Sequence, residues 1–369
     1  MRKSPGFAVL ALAAFALLGS CGGKRTVKVA FIGSFSGKLV TNSSISMNAI
    51  DLYANGPEVA KGRVKYEIVT FDDKSDIATL DGIVADIRAR KIPFVIGPLT
   101  SAFAIKVLDL MKGDDVLLIG PVAASDKLGG RDDNFIKMYP SIKQASDRLA
   151  EYAKGLGIRK ITPILDLSNQ AFGETWIGSF REILAGGTEV APAVTFSNPA
   201  DVNYARIVEE ALRSKADAAL LVTNTFDGAM ICQMLRKADP GILLLNSSWA
   251  FNADFLSSTG RSSEGALFSV AFDGDSSDEG YLRFKAEYKA RFQREGSDFT
   301  PVYSYESIMV LDRGIAAARS TDPRKVKAAI LGPGSYHGLQ GDFTIDRFGD
   351  ARREIRVLAV KDGRFVAVR

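Results

Sequence analysis

The residue types that carry most enzyme chemistry are nearly absent from this chain of 369 residues. Its single histidine, His337, stands in Gly334-Ser335-Tyr336-His337-Gly338, which reads as a glycine-bracketed surface turn. One histidine and two cysteines, Cys21 and Cys232, cannot assemble the usual zinc sites. A serine–histidine–acid triad would have to recruit His337, and no Gly-x-Ser-x-Gly elbow accompanies it. The run Gly33-Ser34-Phe35-Ser36-Gly37-Lys38-Leu39 has neither the spacing of a phosphate loop nor a hydroxyl after the lysine. Asp72-Asp73 ends a β-rich run, where paired carboxylates suit a metal or acid–base work. No third ligand is near in sequence, so the pair reads as a turn or helix-start feature. The expectation is a non-enzyme with no catalytic residue, no metal and no cofactor.

The N-terminus points to a compartment. Arg2 and Lys3 precede an apolar stretch from Phe7 to Leu18, and the small residues Gly19-Ser20 lead into Cys21. That order reads as a secretory signal peptide over residues 1–20, too short in its apolar part to remain as a spanning helix. Leu18-Gly19-Ser20-Cys21 resembles the bacterial lipobox, which implies a lipid on Cys21 and a tethered, otherwise soluble domain at the cell surface or in the periplasm. Cys232 then has no disulfide partner, and its setting in Ala229-Met230-Ile231-Cys232-Gln233-Met234 suits a buried thiol. The net charge is +4, two units of which belong to Arg2 and Lys3, so no nucleic-acid partner is expected.

The elements that position the remaining polar residues alternate between strand and helix. Strands are expected at Val27–Gly33, Val64–Phe71, Pro93–Gly97 and Val116–Ile119, separated by helices near 43–54, 77–90 and 101–111. After Tyr139-Pro140 the pattern restarts, with strands at 160–165, 189–196, 218–222 and 242–245, and helices at 143–154, 172–184 and 227–237. Asp201 is the expected N-cap of a further helix ending at Arg213. Near Val270 to Asp273 the character changes to two long helices, about 278–294 and 301–319, and a short β-rich tail. Near-continuous apolar strands between amphipathic helices indicate parallel sheets covered on both faces. The length exceeds what one core usually holds, so two lobes are expected. Open α/β sheets bind ligands beyond the carboxyl ends of their strands, so two facing sheets would form a cleft.

From Val27 onward the chain resembles type I periplasmic binding proteins, in particular the Leu/Ile/Val-binding group that serves branched-chain amino acid ABC transporters. The resemblance rests on Gly33-Ser34-Phe35-Ser36-Gly37, Phe71-Asp72-Asp73, Ile96-Gly97-Pro98-Leu99-Thr100-Ser101 and Phe135-Ile136-Lys137-Met138-Tyr139-Pro140-Ser141, followed by Phe172-Gly173-Glu174 and Gly341-Asp342-Phe343-Thr344-Ile345-Asp346-Arg347-Phe348-Gly349-Asp350. It implies an α/β Venus flytrap of two doubly wound parallel-sheet lobes joined by three crossovers. The implied division is a lipidated linker at 21–26, lobe one at 27–141 plus 273–345, and lobe two at 142–272 plus 346–369. It also implies a small-molecule ligand, a membrane permease as partner and a monomer; a sensor feeding a membrane receptor is the alternative.

In that family the serine after the third strand binds the ligand's carboxylate. Ser101 matches it, beside Leu99 and Thr100, at a helix start that favours an anion; a plain N-cap is the other reading. Ala123 and Ser125 flank Ala124, which stands where the family carries a threonine. Phe172 replaces a tyrosine, Asn224 stands near another, and Ser247 or Ser248 falls on the acid that pairs with an α-ammonium. Trp249 is expected as a cleft wall or as core packing. A buried ammonium without a partner costs roughly 3–5 kcal/mol. The expected ligand is therefore a carboxylate or other polar solute without an α-ammonium, stacked on Phe172 or Trp249, unless Asp227 supplies a displaced acid.

Overall fold

A computed structural model describes residues 24–36, 40–197, 202–294 and 299–368; the signal-peptide and lipidation expectations, Cys21 included, lie outside them. The first sheet is built from β1 (Arg25–Gly33), β2 (Val64–Asp72), β3 (Phe94–Ile96), β4 (Leu117–Gly120) and β5 (Phe135–Lys137), in the order β2-β1-β3-β4-β5. All neighbours are parallel. The connections carry α1 (Val40–Ala54), α2 (Pro57–Lys61), α3 (Leu80–Ala89) and α4 (Ser101–Leu110). Alternation along the strands builds two cores. Val29, Phe31, Phe94 and Ile96 point into one, shared with α1, while Ala30, Ile32, Val95 and Leu118 point into the other against Val84 and Ile87 of α3 and Ala104 and Val107 of α4.

The chain then enters the second lobe. There α5 (Ile142–Gly155), β6 (Lys160–Asp166), α6 (Gln170–Ile183), β7 (Glu189–Val190), β8 (Val194–Phe196), α7 (Tyr204–Arg213), β9 (Ala218–Val222), α8 (Thr225–Ala238), β10 (Leu243–Asn246), α9 (Ala253–Thr259) and β11 (Leu267–Val270) follow. It returns to the first lobe as α10 (Glu279–Phe292), α11 (Phe299–Ala318), α12 (Pro323–Leu331) and a small antiparallel sheet of β12 (Tyr336–Gly338), β13 (Gly341–Ile345) and β14 (Ala351–Arg352). It crosses once more to β15 (Arg356–Lys361) and β16 (Arg364–Ala367), which pair antiparallel on the edge of β11. The second sheet therefore runs β16-β15-β11-β10-β9-β6-β7, with β8 also on β6.

Several expectations change in detail. Residues 189–196 are two strands rather than one. Pairing of Ile161 with Val190 and of Ile164 with Val194 leaves one extra residue around Pro192, a bulge. Ile161 accepts from Ala191 N, so alternate residues of β6 face this edge, and Pro163, which lacks an amide proton, faces the interruption. The second sheet is not wholly parallel, because its last two strands come from the C-terminal tail. Asn203, not Asp201, caps α7 by accepting from Arg206 N at 3.0 Å, and Asp201 lies outside the described residues. His337 is exposed, but on a strand rather than in a turn. The helix α12 was not anticipated, although Asp322-Pro323 is a start signal: the aspartate caps Arg324 N and Lys325 N.

The crossovers run side by side. Lys137 N donates to Gly349 O at 2.8 Å, and the buried Lys137 ammonium meets Asp350 at 3.4 Å. Glu306, fully buried on α11, accepts from Leu339 N at 2.6 Å and pairs with Arg353, which lies on the last crossover between the rings of Tyr303 and Phe343.

Candidate ligand-binding site

A cavity lies where the carboxyl ends of both sheets face each other, leaving about 40 Å³ for the centre of a water-sized sphere. Ser34 follows β1, Asp73 follows β2, Leu99, Thr100 and Ser101 follow β3, and Val122 follows β4. The other lobe brings Asn169, Phe172, Ser248 and Trp249 to the same space.

One end is the start of α4. The backbone at Thr100 is extended, and the first helical bond runs from Ala104 N to Thr100 O, so the amides of residues 101–103 precede the ladder. Thr100 Oγ1 is buried beside them without a partner. Ser101 is 1% exposed, and its Oγ accepts from Ala124 N at 3.1 Å and from Ser125 N at 3.0 Å. Both lone pairs are thereby used, and the hydroxyl proton is left to donate. Free amides, two hydroxyls and the positive end of a helix suit an anionic oxygen. From the facing lobe, Asn169 Oδ1 already accepts from Ala102 N at 3.1 Å.

The other end is acidic: Asp72-Asp73 form the expected turn, and Asp73 also lines the cavity. Asp72 does organise the turn, accepting from Phe35 N at 2.8 Å and Lys74 N at 2.9 Å. Although burial works against its charge, those bonds and Ser36 hold its carboxyl below the ordinary range. Side chains alternate at a strand end, and Asp73 points inward: it is 2% exposed and lines the cavity. Burial raises its pKa, opposed by hydrogen bonds from Ser34 Oγ at 2.5 Å and Ser75 N at 2.9 Å. The cavity thus carries a carboxylate that the reading of Ser247, Ser248 and Asp227 did not include.

The walls between these ends are apolar. Phe172 meets Trp249 edge to face at 6.0 Å, and Trp249 is half-buried, so it serves both as packing and as lining. Phe299 of α11 and Leu99 complete the surface. Tyr139, on the first crossover, presents a buried hydroxyl beside Ser248 and the Ala271 carbonyl without a well-formed hydrogen bond to either; burial pushes its pKa up to about 12.

Of the residues singled out from sequence, Leu99, Thr100, Ser101, Phe172, Ser248 and Trp249 share this cavity, and three others lie outside its lining. Ala123 is buried in the core between the sheet and α4, so only its neighbours' amides reach Ser101. Ser125 Oγ donates instead to Ala171 O of the other lobe at 3.0 Å, a contact that holds the lobes together. Asn224 caps α8 and divides its amide between Asp166 at 3.0 Å and Asp227 at 2.6 Å. Asp227 also receives Tyr204 OH at 2.5 Å and does not line the cavity. Asn42, Tyr139, Asn169 and Thr300 were not anticipated. Only Tyr139, inside a quoted motif, carried a local signal.

The chain belongs to the periplasmic binding protein family, whose sequence profile matches residues 26–364. It is 23% identical over 300 residues to a Leu/Ile/Val-binding protein homolog of Brucella melitensis, covering 80% of this chain and 79% of that one. A Pseudomonas aeruginosa protein described as binding leucine, isoleucine, valine, threonine and alanine is 19% identical, with 95% of this chain and 93% of the relative covered. Among solved structures, a leucine-binding protein of Thermotoga maritima superposes with a TM-score of 0.83 at 21% identity, covering 93% of this chain and 98% of the other. An R. palustris solute-binding protein in complex with benzoate gives 0.85 at 19% identity, covering 93% and 95%. These structures establish the shared two-lobed fold.

Proposed function

We propose that this protein captures a small carboxylate-bearing solute between its lobes and delivers it to an ABC permease, from a lipid anchor on Cys21. The observation that carries the reading is the start of α4. Ser101 has an unspent hydroxyl proton, Thr100 an unpartnered hydroxyl, and both sit beside free amides in a cavity walled by Phe172 and Trp249. The leucine and benzoate named for the two structural neighbours share one group, the carboxylate. Cross-lobe contacts such as Ser125 Oγ to Ala171 O and Lys127 to Glu174 at 2.7 Å would break on opening, so closure over a ligand is a hinge motion about the crossovers. The leader pattern ending at Cys21 supports export and anchoring.

The test is a thermal-shift panel of amino acids, amides, urea, and aliphatic and aromatic carboxylates. A ligand at a hundred times its dissociation constant adds about 2.7 kcal/mol, enough to move the midpoint by several degrees. Shifts confined to uncharged amides or urea would remove the carboxylate from the reading.

A further inference from the structure

Asp73 is a buried acid that the fold leaves without a counter-charge. Its Oδ1 is occupied by Ser34 Oγ and Ser75 N, while its Oδ2 takes no hydrogen bond from any described residue. The charge that acts on it is another acid, Asp72. A carboxylate kept this dry without a cation is costly unless a partner arrives from outside the chain. Asp73 is also the only ionisable carboxylate among the cavity's described lining residues, which include no lysine, arginine or histidine.

Its position sets the length of what can pair with it. Asp73 follows β2 and Ser101 follows β3, and β1 lies between those strands. Two strand spacings separate the rails by roughly 10 Å. Ser101 does not lean back toward β2, because its Oγ is tied to the amides of Ala124 and Ser125 beyond β4, on the far side. An α-amino acid carries its ammonium on the carbon next to the carboxyl and cannot reach both ends at once. Between the two ends run the apolar walls of Leu99, Phe172, Trp249 and Phe299, suited to methylenes.

We propose that the ligand is an ω-amino carboxylate, its carboxylate at the start of α4 and its terminal ammonium on Asp73 Oδ2. This rests on the reading of α4 as the carboxylate end. The ligand would be neutral overall and extended, with roughly three or more carbons between its charged groups to match the strand separation. The lobe-two position held by Ser248 then has no ammonium to meet.

Calorimetry on the purified protein with isomer pairs tests the proposal. The ω-amino acids γ-aminobutyrate, δ-aminovalerate and ε-aminocaproate are compared with their α-amino isomers, and with butyrate, valerate and caproate. At least one ω-amino acid should bind about a hundredfold tighter than its α-isomer and its nitrogen-free counterpart, as expected for a paired against an unpaired buried charge. Asp73→Asn keeps the acceptor for Ser34 and Ser75 and should erase that preference, returning the ω-amino acid to the affinity of the plain carboxylate. Equal or tighter binding of α-isomers, plain carboxylates or para-hydroxybenzoate would overturn the proposal, as would silence across the ω-amino series. The isomer comparison needs no variant, so it decides even if Asp73→Asn fails to fold. Ser101→Ala separates the two levels. If it leaves the affinity of whichever compound binds unchanged, the carboxylate reading itself falls; if it abolishes binding while the ω-preference is absent, only the ω-amino proposal falls.

Discussion

The amide oxygen of Asn169, at the start of α6 in one lobe, accepts from Ala102 N at 3.1 Å, at the start of α4 in the other. An uncharged oxygen from one lobe thus rests on the helix end to which a ligand's anionic oxygen is assigned, and it helps hold the cleft shut. Removing it as Asn169→Ala deletes one cross-lobe hydrogen bond, worth about 0.5–1.5 kcal/mol. The unliganded protein should shift toward the open form by a factor of about 2–12. Small-angle scattering would show a larger radius of gyration without ligand; an unchanged radius would show that this bond does not govern closure.

Ser101→Ala should cost stability as well as binding. The variant strips the acceptor from two buried amides, Ala124 N and Ser125 N. Leaving them unpaired should lower the unfolding free energy by about 1–3 kcal/mol, read from urea denaturation without ligand. A serine that merely capped its own helix would show a smaller loss and no change in ligand affinity.

Asp73 sets a pH dependence whose sign can be worked out. Burial holds its carboxyl above the ordinary value of 3.8, which the unfolded chain keeps. Between the two values the folded chain binds more protons than the unfolded one. The Asp73 contribution to stability therefore falls as pH rises through that window and is flat above it. Asp73→Asn should gain on the wild type over the same interval, measured as the difference in thermal midpoint across an acid series. Affinity for an ammonium-bearing ligand should move the opposite way, rising with pH as the carboxylate ionises. A difference that does not vary with pH would place the Asp73 carboxyl at its unfolded value.

Glu306→Ala tests the crossover. Arg353 would remain buried between Tyr303 and Phe343 with its partner gone, a loss of roughly 3–5 kcal/mol. Neither residue lines the cavity between the lobes. Denaturation should report the loss, while ligand affinity measured well below the new midpoint should change far less.

Much of the fold was legible because it is written locally. The runs Phe94-Val95-Ile96 and Ala218-Ala219-Leu220-Leu221-Val222 are short and apolar throughout, as a strand covered on both faces requires, and both are wholly buried strands. What escaped was set by partners distant in sequence. The break at residues 191–193 holds Pro192 and lies opposite Pro163 on the neighbouring strand, a pairing that only the register reveals. The pairing of the C-terminal tail with β11 depends on a crossover that composition does not mark. At the site, Ser101 was legible because it matches the serine that the resembled family carries after the third strand, at the start of a helix. Asn169 was not, because it reaches the cavity from the other lobe, and Thr300 was not, because the helix that carries it returns to the first lobe from far along the chain. Asp73 lay between these cases: the pair was visible, but which carboxylate turned inward depended on where β2 ended.

The threefold crossing has a consequence for how the protein is made. β11 forms an edge of its sheet until β15 and β16 lie along it, and α10 to α12 and β12 to β14 all come between them in the chain. A ribosome working from the amino end therefore releases a second lobe whose edge still offers unpaired backbone groups to any passing strand. A stop codon falling after β11 and before Arg356 would leave that edge permanently bare. The expected result is an aggregating product rather than a weaker binder.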